Sequence, residues 1–305
     1  MFTNNSNNPQ KNNINDLFSL LGNSSLVSHK PSINITDSSK KSPSVNTNIS
    51  NLSVSNNIFK SFSYQEDKNL KYRQSMEDFG ALFPNLTDDN KTSLFAIFDG
   101  HGGNDVVKYI KDRVPEIIKN NLKDSPIELA LENAFSKIDE ELKFYDSEYT
   151  GSTATVILLN NNKIYCANVG DSRAYIIYEN NVKQVTFDHK CTVPEEANRI
   201  INLGGKITKN RVMGQLVLSR SIGDFYVKKY GVINTPYISI NDIGYDVKNI
   251  VIASDGVWDV VDENCLMSLC RNNRNKNAED LCKNIVKEAI DKGTKDNVSC
   301  IVVTF

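Results

Sequence analysis

Acidic side chains stand where several apolar segments of this 305-residue chain begin or end. In antiparallel sheets the end of one strand lies beside the start of its neighbour, so acids at such positions come together. The sequence therefore predicts that six acids share one sheet edge. These acids are Glu77, Asp78, Asp99, Asp171, Asp255 and Asp296.

Carboxylates crowded at one place repel one another, and without a counter-charge some of them would have to bind protons. Hard divalent cations relieve this repulsion because they prefer oxygen ligands. The glycines after Asp99 and Asp255 would also let backbone carbonyl groups approach a cation. This pattern leaves two alternatives open, a structural Ca²⁺ site or a catalytic Mg²⁺ or Mn²⁺ site, and the sequence contains no EF-hand loop.

Two side chains near these acids favour the catalytic alternative. Arg73 lies four residues before Glu77, and its planar guanidinium matches the oxygens of a phosphoryl group. His101, one of three histidines, lies two residues after Asp99 and is placed to protonate a leaving oxygen. A two-metal site activates water for in-line displacement at phosphorus, so the predicted reaction is phosphoester hydrolysis.

Short apolar strands and amphipathic helices must position these residues. Strands are predicted at 94–98, 154–159, 164–169, 174–178, 249–253 and 298–304, which are rich in Ile, Val, Phe and Tyr. Their close succession through short Asn-rich loops predicts antiparallel pairing. Blocks of strands alternate with pairs of helices, and this arrangement favours an α+β fold.

Three helix boundaries can be predicted from local signals. A first helix runs from near Asn104 toward Asn121 and is expected to break near Pro115. Ser125 is the expected N-cap of a second helix, with Pro126 as its first residue. Asn277 is the expected start of a third helix.

Composition narrows the function further. Lys and Arg number 35 against 37 Asp and Glu, so the net charge of −2 argues against a nucleic-acid-binding surface. No apolar stretch approaches the ~18 residues that span a bilayer, so no membrane partner is expected. Six cysteines without a C-x-x-C pair indicate reduced thiols, which predicts a cytoplasmic or nuclear protein.

Residues 1–57 differ from the rest of the chain. They contain 14 Asn and 13 Ser, a composition that cannot bury enough apolar surface to offset its ordering entropy. The sequence therefore predicts a disordered tail at 1–57 and one folded catalytic domain at 58–305.

Seven motifs in this order resemble those of the metal-dependent protein serine/threonine phosphatases of type 2C. The resemblance covers about residues 59–305. The motifs begin at Arg73, Asp99, Gly151, Asn168, Leu218, Ala253 and Gly293, and they read RxxMED, DGHGG, GSTA, NVGDSR, LSRSIGD, ASDGVWD and GTKDN.

The resemblance implies a β-sandwich of two antiparallel sheets flanked by helix pairs, in four layers (α-β-β-α), with two Mn²⁺ or Mg²⁺ ions at one edge. Five of the matched positions imply the ligands of these two ions. Asp99 would bridge them, the Gly100 carbonyl and Glu77 would hold one, and Asp255 and Asp296 the other.

The other matched positions imply further roles. Asp171 would form a weaker third metal site together with Asp255. Asp78 would orient the attacking water, Arg73 would bind the substrate phosphate and His101 would protonate the leaving alkoxide. The implied function is hydrolysis of phosphoserine and phosphothreonine by metal-activated water, carried out by a monomer whose partners are phosphoprotein substrates.

Two positions depart from the family pattern. The family usually has Pro where this chain has Cys191, and Asn where it has Met213. Both belong to the region that resembles the substrate-facing flap, roughly 191–230. These departures therefore bear on substrate preference and leave the metal carboxylates unchanged.

Two other classes of protein are alternatives to a phosphatase. An α/β-hydrolase esterase would use the near-match around Ser172, but it needs a late histidine, and no histidine follows His189. A non-catalytic metal-bound scaffold should lack Arg73 or a metal carboxylate, and this chain has both.

Overall fold

The computed structural model describes residues 58–145, 147–274 and 276–305. The predicted tail at 1–57 lies outside the described residues. The strands are β1 (Ser61–Asp67), β2 (Asp78–Phe83), β3 (Thr92–His101), β4 (Gly151–Ser152), β5 (Ala154–Asn160), β6 (Lys163–Val169), β7 (Arg173–Tyr178), β8 (Val182–Gln184), β9 (Ile207–Thr208), β10 (Arg211–Val212), β11 (Ile222–Gly223), β12 (Tyr237–Asp242), β13 (Val247–Ala253) and β14 (Val298–Thr304). The helices are α1 (Asp105–Asn121), α2 (Ile127–Leu142), α3 (Pro194–Asn202), α4 (Phe225–Lys228), α5 (Asp255–Trp258), α6 (Glu263–Asn272) and α7 (Ala278–Asp291).

Twelve of the strands form two antiparallel sheets, and β9 and β10 form a separate two-stranded antiparallel sheet. The first sheet has the order β1-β14-β13-β7-β8. The second has the order β11-β4-β3-β5-β6-β12, and β2 also pairs with β3. All pairings between these strands are antiparallel, so the predicted pairing of the strands is confirmed.

Three apolar clusters separate four layers of structure. Phe95 and Ile157 of the second sheet pack against Ile252 and Ile301 of the first, and these side chains form the centre of the sandwich. A second cluster joins the outer face of the second sheet to α1 and α2. A third joins the outer face of the first sheet to α6 and α7. These three interfaces confirm the predicted four-layer α-β-β-α fold. The helix pairs are needed because each sheet must bury its outer face as well as its inner one.

A smaller fourth cluster forms a separate unit, here called the flap, at residues 191–232. It contains α3, β9, β10 and α4. Cys191, Ile200, Val212 and Val227 are buried in its core. The flap therefore has apolar packing of its own and is not a simple loop.

Two predicted helix features are wrong and one is confirmed. Helix α1 continues through Pro115, which is itself buried, so apolar packing offsets the hydrogen bond that proline cannot donate. Helix α2 begins at Ile127 and not at Pro126, because Pro126 has an extended ψ of 153°. Asn277 caps α7 as predicted and accepts a hydrogen bond from the Asp280 backbone N–H at 2.9 Å.

In the part of the chain that the structure describes, no helix has the length and apolar character needed to cross a membrane.

Candidate metal centre

The six predicted acids lie at the adjoining ends of both sheets. Asp78 and Asp99 are cross-strand partners in β2 and β3 of the second sheet. Asp255 follows β13 of the first sheet, and the hydroxyl of Ser254, next to it, donates a hydrogen bond to Asp78 at 2.7 Å. The prediction of a single sheet edge is therefore wrong, because the two stacked sheets each contribute acids to one common site.

Mutual repulsion among these acids is visible in their ionisation. Burial, followed by the charges of Asp78 and Asp255, raises the pKa of Asp99 well above its usual value. Burial and the charges of Asp171 and Asp296 do the same to the pKa of Asp255. Burial also raises the pKa of Asp78 to about 6. Four of the predicted ligands thus influence one another, and the site has an excess of negative charge.

Cationic side chains contact two of the acids individually. The Arg73 guanidinium donates a hydrogen bond to the carboxylate of Asp296. Lys190 Nζ lies 3.1 Å from Asp171 Oδ2. This ammonium lowers the pKa of Asp171, but burial is the larger effect, so the pKa stays above its usual value.

Within residues 58–145, 147–274 and 276–305, no three His, Cys, Asp or Glu side chains converge in the manner of a closed metal site. The composition of the group nevertheless suits hard divalent cations, which take carboxylate and carbonyl oxygens. Raised carboxyl pKa values are the expected result when so many acids are buried close to one another.

Two glycines bring backbone close to this centre. A Cβ atom on Gly100 would lie 2.8 Å from the Glu77 carbonyl oxygen and 2.9 Å from Val107. A Cβ atom on Gly256 would lie only 1.9 Å from the carbonyl oxygen of Asn297. Both positions therefore exclude any side chain. The carbonyl group of Gly100 follows Asp99 directly in the chain and so lies close to the acids.

Asn297 holds the loop that carries Arg73 and Glu77. Its Oδ1 accepts a hydrogen bond from the Glu77 backbone N–H at 2.9 Å. Its Nδ2 donates to the carbonyl oxygens of Lys68 and Ser75 at 2.8 and 3.0 Å. Sequence reasoning placed Asn297 in a motif but assigned it no task, and these three bonds show that it positions the loop.

His101 is held by a residue that sequence reasoning missed. Its Nε2 lies 2.9 and 2.8 Å from the two carboxylate oxygens of Asp224. Burial lowers the pKa of His101, but the hydrogen bond and charge of Asp224 outweigh burial, so the pKa lies above its usual value. The Asp224 side chain is only 1% exposed, whereas that of His101 is 31% exposed. The imidazole therefore reaches solvent while its carboxylate partner stays buried behind it.

The backbone around Asp224 is fixed by several contacts. Asp224 has a left-handed φ of 53°, and its N–H donates to the Thr150 carbonyl at 3.1 Å. A Cβ atom on Gly151 would lie 2.2 Å from the Asp224 carboxylate. Asp139 of α2 accepts the N–H of Gly223 at 2.8 Å. The glycine at 151 thus leaves room for the carboxylate that orients His101.

An ion cluster holds two segments of the flap together. Glu196 is buried and accepts hydrogen bonds from the guanidinium groups of Arg199 and Arg220, each at 2.7 Å, and from the Ser219 hydroxyl at 2.6 Å. Burial alone would raise the pKa of Glu196, but these donors hold it far below its usual range. Ser219 and Arg220 belong to the same segment as Asp224, so the cluster joins α3 to the segment that carries the partner of His101.

The two departures from the family pattern lie inside the flap. Cys191 is buried, and its thiol donates a hydrogen bond to the Asn210 carbonyl at 2.8 Å. Met213 has a left-handed φ of 51°, a conformation that Asn tolerates better than Met. Both residues therefore affect the packing and turns of the flap and do not contact the acids of the metal centre.

Comparison with known proteins gives a consistent result. The family model described as protein phosphatase 2C matches residues 62–298. The chain is 36% identical over 248 residues to a rice (Oryza sativa subsp. japonica) protein named probable protein phosphatase 2C 52, and the match covers 76% of this chain but about half (48%) of that protein. It is 34% identical over 250 residues to the rice protein named probable protein phosphatase 2C 45, covering 80% of this chain and 88% of that protein.

A solved structure shows the same fold. The serine-threonine phosphatase 2C from Toxoplasma gondii superimposes with a TM-score of 0.73 at 20% sequence identity. The superposition covers 82% of this chain and 96% of that one. At this identity the likeness is evidence for the fold alone.

Proposed function

This chain belongs to the protein phosphatase 2C family of protein serine/threonine phosphatases, and on this premise we propose that it hydrolyses phosphoserine and phosphothreonine in proteins. The observation that carries the proposal is the group of buried acids whose charges raise one another's pKa values beside Arg73 and His101. Such a group fits the binding of divalent cations, and the two basic side chains fit a phosphate ester.

The acids would hold two Mn²⁺ or Mg²⁺ ions. Asp99, Glu77, the Gly100 carbonyl, Asp255 and Asp296 would supply the oxygen ligands that hold them. When bound, these ions make water nucleophilic at neutral pH and balance the charge of the phosphoryl oxygens. Asp171, already paired with Lys190, would contribute only to a weaker third site.

Three side chains of the protein would act directly on the substrate or the attacking water. The Arg73 side chain is 46% exposed, so its planar group of donors is accessible to phosphoryl oxygens. Asp78, held by the Ser254 hydroxyl, would orient the attacking water. His101 would donate a proton to the serine or threonine oxygen as it leaves, with Asp224 fixing the direction of the imidazole.

We also infer a cytoplasmic or nuclear location. All six cysteines are free thiols, and five of them are buried. Thiols of this kind are typical of proteins that work in reducing compartments.

The function is tested by removing and restoring the metal. We expect turnover of p-nitrophenyl phosphate to disappear when the protein is stripped with EDTA and to return with Mn²⁺ or Mg²⁺. Asp99→Asn should abolish turnover and leave the far-ultraviolet circular dichroism unchanged, because one bridging charge is lost. Asp242→Asn is the matched control, since the Asp242 side chain is 84% exposed at the other end of the sandwich.

Two results would contradict the proposal. Full turnover by stripped protein in excess EDTA would exclude metal-dependent hydrolysis. A turnover number of Asp99→Asn close to that of the unmodified protein would remove Asp99 from the centre.

A further inference from the structure

A second charged site lies at the end of the first sheet that is remote from the acids. A cavity of about 590 Å³ is formed there by the residues just before β1, the end of β7 with the turn after it, the β12–β13 turn with the start of β13, the end of β14, and helix α6 with the residues that follow it. We call it the basic cavity because five cationic side chains line it. They are Lys60, Lys248, Arg271, Arg274 and Lys276.

A single carboxylate side chain in this lining balances part of the charge. Glu179 pairs with Lys248 at 3.2 Å and with Arg274 at 2.9 Å. Among the described residues, no carboxylate lies within ion-pair distance of Lys60, Arg271 or Lys276. The whole chain has a net charge of −2, so this local excess of positive charge is not a property of the surface in general.

The floor of the basic cavity is apolar. Ile177, Val247 and Met267 line it and are nearly inaccessible to solvent. Tyr245 stands at the rim with its side chain 99% exposed. The volume lies in the range of about 300–1,000 Å³ that is typical of ligand sites. A ligand that fits must therefore present negative charges around at least one apolar group.

The distribution of the cations favours an extended ligand over a compact anion. Lys60 precedes β1, Lys248 is in β13, and the remaining three cations lie at the C-terminal end of α6 and just beyond it. Cations on separate elements can each pair with a different acidic side chain of a peptide. A free phosphate has no apolar group and would leave the apolar floor uncovered.

We propose that the basic cavity binds an acidic peptide segment with an apolar anchor residue, supplied by a phosphoprotein substrate at a distance from its phosphorylated residue. This inference rests on the proposed function for the identity of the partner. Binding at a second point raises the effective concentration of the phosphoserine at the metal centre. The cavity would thus select among substrates without taking part in the reaction.

The strand geometry sets the length that such a substrate needs. Asp296 of the metal centre lies two residues before β14, and Thr304 of the basic cavity is the last residue of that strand. The two are eight residues apart, or roughly 26 Å at the rise of a strand. An extended chain needs about eight residues to cover this distance, and a path over the surface needs more. A phosphoserine only a few residues from the acidic segment cannot reach the centre while the segment is bound.

The proposal is tested with two phosphopeptides and one charge-reversal variant. Both peptides carry the same phosphoserine and the same segment of Glu and Leu residues, joined by either three or twenty Gly/Ser residues. We expect the long peptide to have a KM about tenfold below that of the short one. Arg271→Glu/Lys276→Glu should remove this difference and leave p-nitrophenyl phosphate turnover within about twofold. Lys123→Glu/Lys137→Glu is the matched control, because it makes the same change of charge at exposed positions beside and on α2.

A direct binding measurement distinguishes failure of this proposal from failure of the proposed function. A fluorescent, unphosphorylated Glu/Leu peptide should bind the unmodified protein and the control, but bind the Arg271→Glu/Lys276→Glu variant at least tenfold more weakly by anisotropy. If no phosphoester is hydrolysed but the peptide binds in this way, only the proposed function fails. Equal peptide affinity for all three proteins would overturn the binding site. Binding of phosphatidylserine vesicles without binding of the peptide would also overturn it, in favour of a membrane surface.

Discussion

At the scale of single residues, the contact between His101 and Asp224 decides which reaction step depends on a proton. Both carboxylate oxygens of Asp224 lie within 2.9 Å of His101 Nε2, and they stabilise the charged imidazole against the cost of burial. A protonated imidazole that still reaches solvent is suited to donate a proton to a leaving oxygen. A good leaving group does not need that proton, whereas a serine alkoxide does.

His101→Gln should therefore slow phosphoserine-peptide hydrolysis far more than p-nitrophenyl phosphate hydrolysis. General acid catalysis contributes about 10²–10⁴-fold, so the ratio of the two kcat values should change by at least tenfold. Asp224→Asn should also slow the phosphoserine peptide more than p-nitrophenyl phosphate, because it removes the carboxylate that holds the imidazole. Equal losses on both substrates would mean that His101 only packs the loop beside Asp99, and would contradict its assignment as the acid.

This contact also marks a limit of sequence reasoning. The acids of the metal centre could be predicted because each one adjoins an apolar strand, and strand ends are visible locally. His101 and Asp224 are 123 residues apart, and their pairing depends on the left-handed turn at Asp224 and the space left by Gly151. The loop-fastening bonds of Asn297 span more than 200 residues and could not be predicted for the same reason.

At the scale of elements, the attachment of the flap depends on a buried histidine. His189 is fully buried, and its Nδ1 lies 3.2 Å from the Gly170 carbonyl oxygen. Its Nε2 has no hydrogen-bond partner among the described residues. Its backbone carbonyl accepts a hydrogen bond from the Ser219 N–H, next to the Glu196 ion cluster. Burial, and then the charge of Arg220, lower the pKa of His189 to about 4, so the folded protein holds this side chain neutral.

Protonation of His189 should therefore destabilise the protein in acid. As the pH falls from 6.5 toward 4, the histidine of the unfolded chain binds a proton while His189 in the folded protein stays neutral. Proton binding then favours the unfolded chain, so the free energy of unfolding decreases over this pH range and does not depend on His189 above pH 6.5. Between pH 7 and 4.5 we expect the unmodified protein to lose about 2 kcal/mol more unfolding free energy than His189→Gln. Urea titrations of both proteins in EDTA, which keeps metal binding out of the comparison, measure this difference. Parallel pH profiles would show that His189 is not held neutral in the fold.

The helices also show why local sequence signals predict some boundaries and not others. The Asn277 cap was predicted correctly because its partner, Asp280, is three residues away. The break at Pro115 was wrong because the stability of α1 depends on packing against sheet and helix residues that are distant in sequence. Met213 keeps a left-handed turn that its residue type disfavours, since it packs against the apolar core of the flap and its N–H donates to the Lys206 carbonyl at 2.7 Å.

At the scale of the whole molecule, the two ends of the sandwich carry opposite charge. The buried acids lie at the adjoining ends of both sheets, and the basic cavity lies at the opposite end of the first sheet. The sandwich has its own core of apolar side chains from both sheets, and β1 closes the first sheet by pairing with β14. Every residue assigned to the metal centre follows residue 72. The predicted tail at 1–57 supplies none of them.

Deletion of residues 1–57 should consequently leave the kcat for p-nitrophenyl phosphate within about twofold of the full chain. The reason is that the edge strand β1 begins at Ser61, so the deletion removes no strand, helix or acid of the described fold. Activity with Mn²⁺, measured together with the thermal unfolding midpoint, separates loss of the site from loss of the fold. A truncated protein that unfolds at the same temperature but has lost turnover would place part of the active site in the first 57 residues. In that case the predicted boundary between tail and catalytic domain would have to move toward the N-terminus.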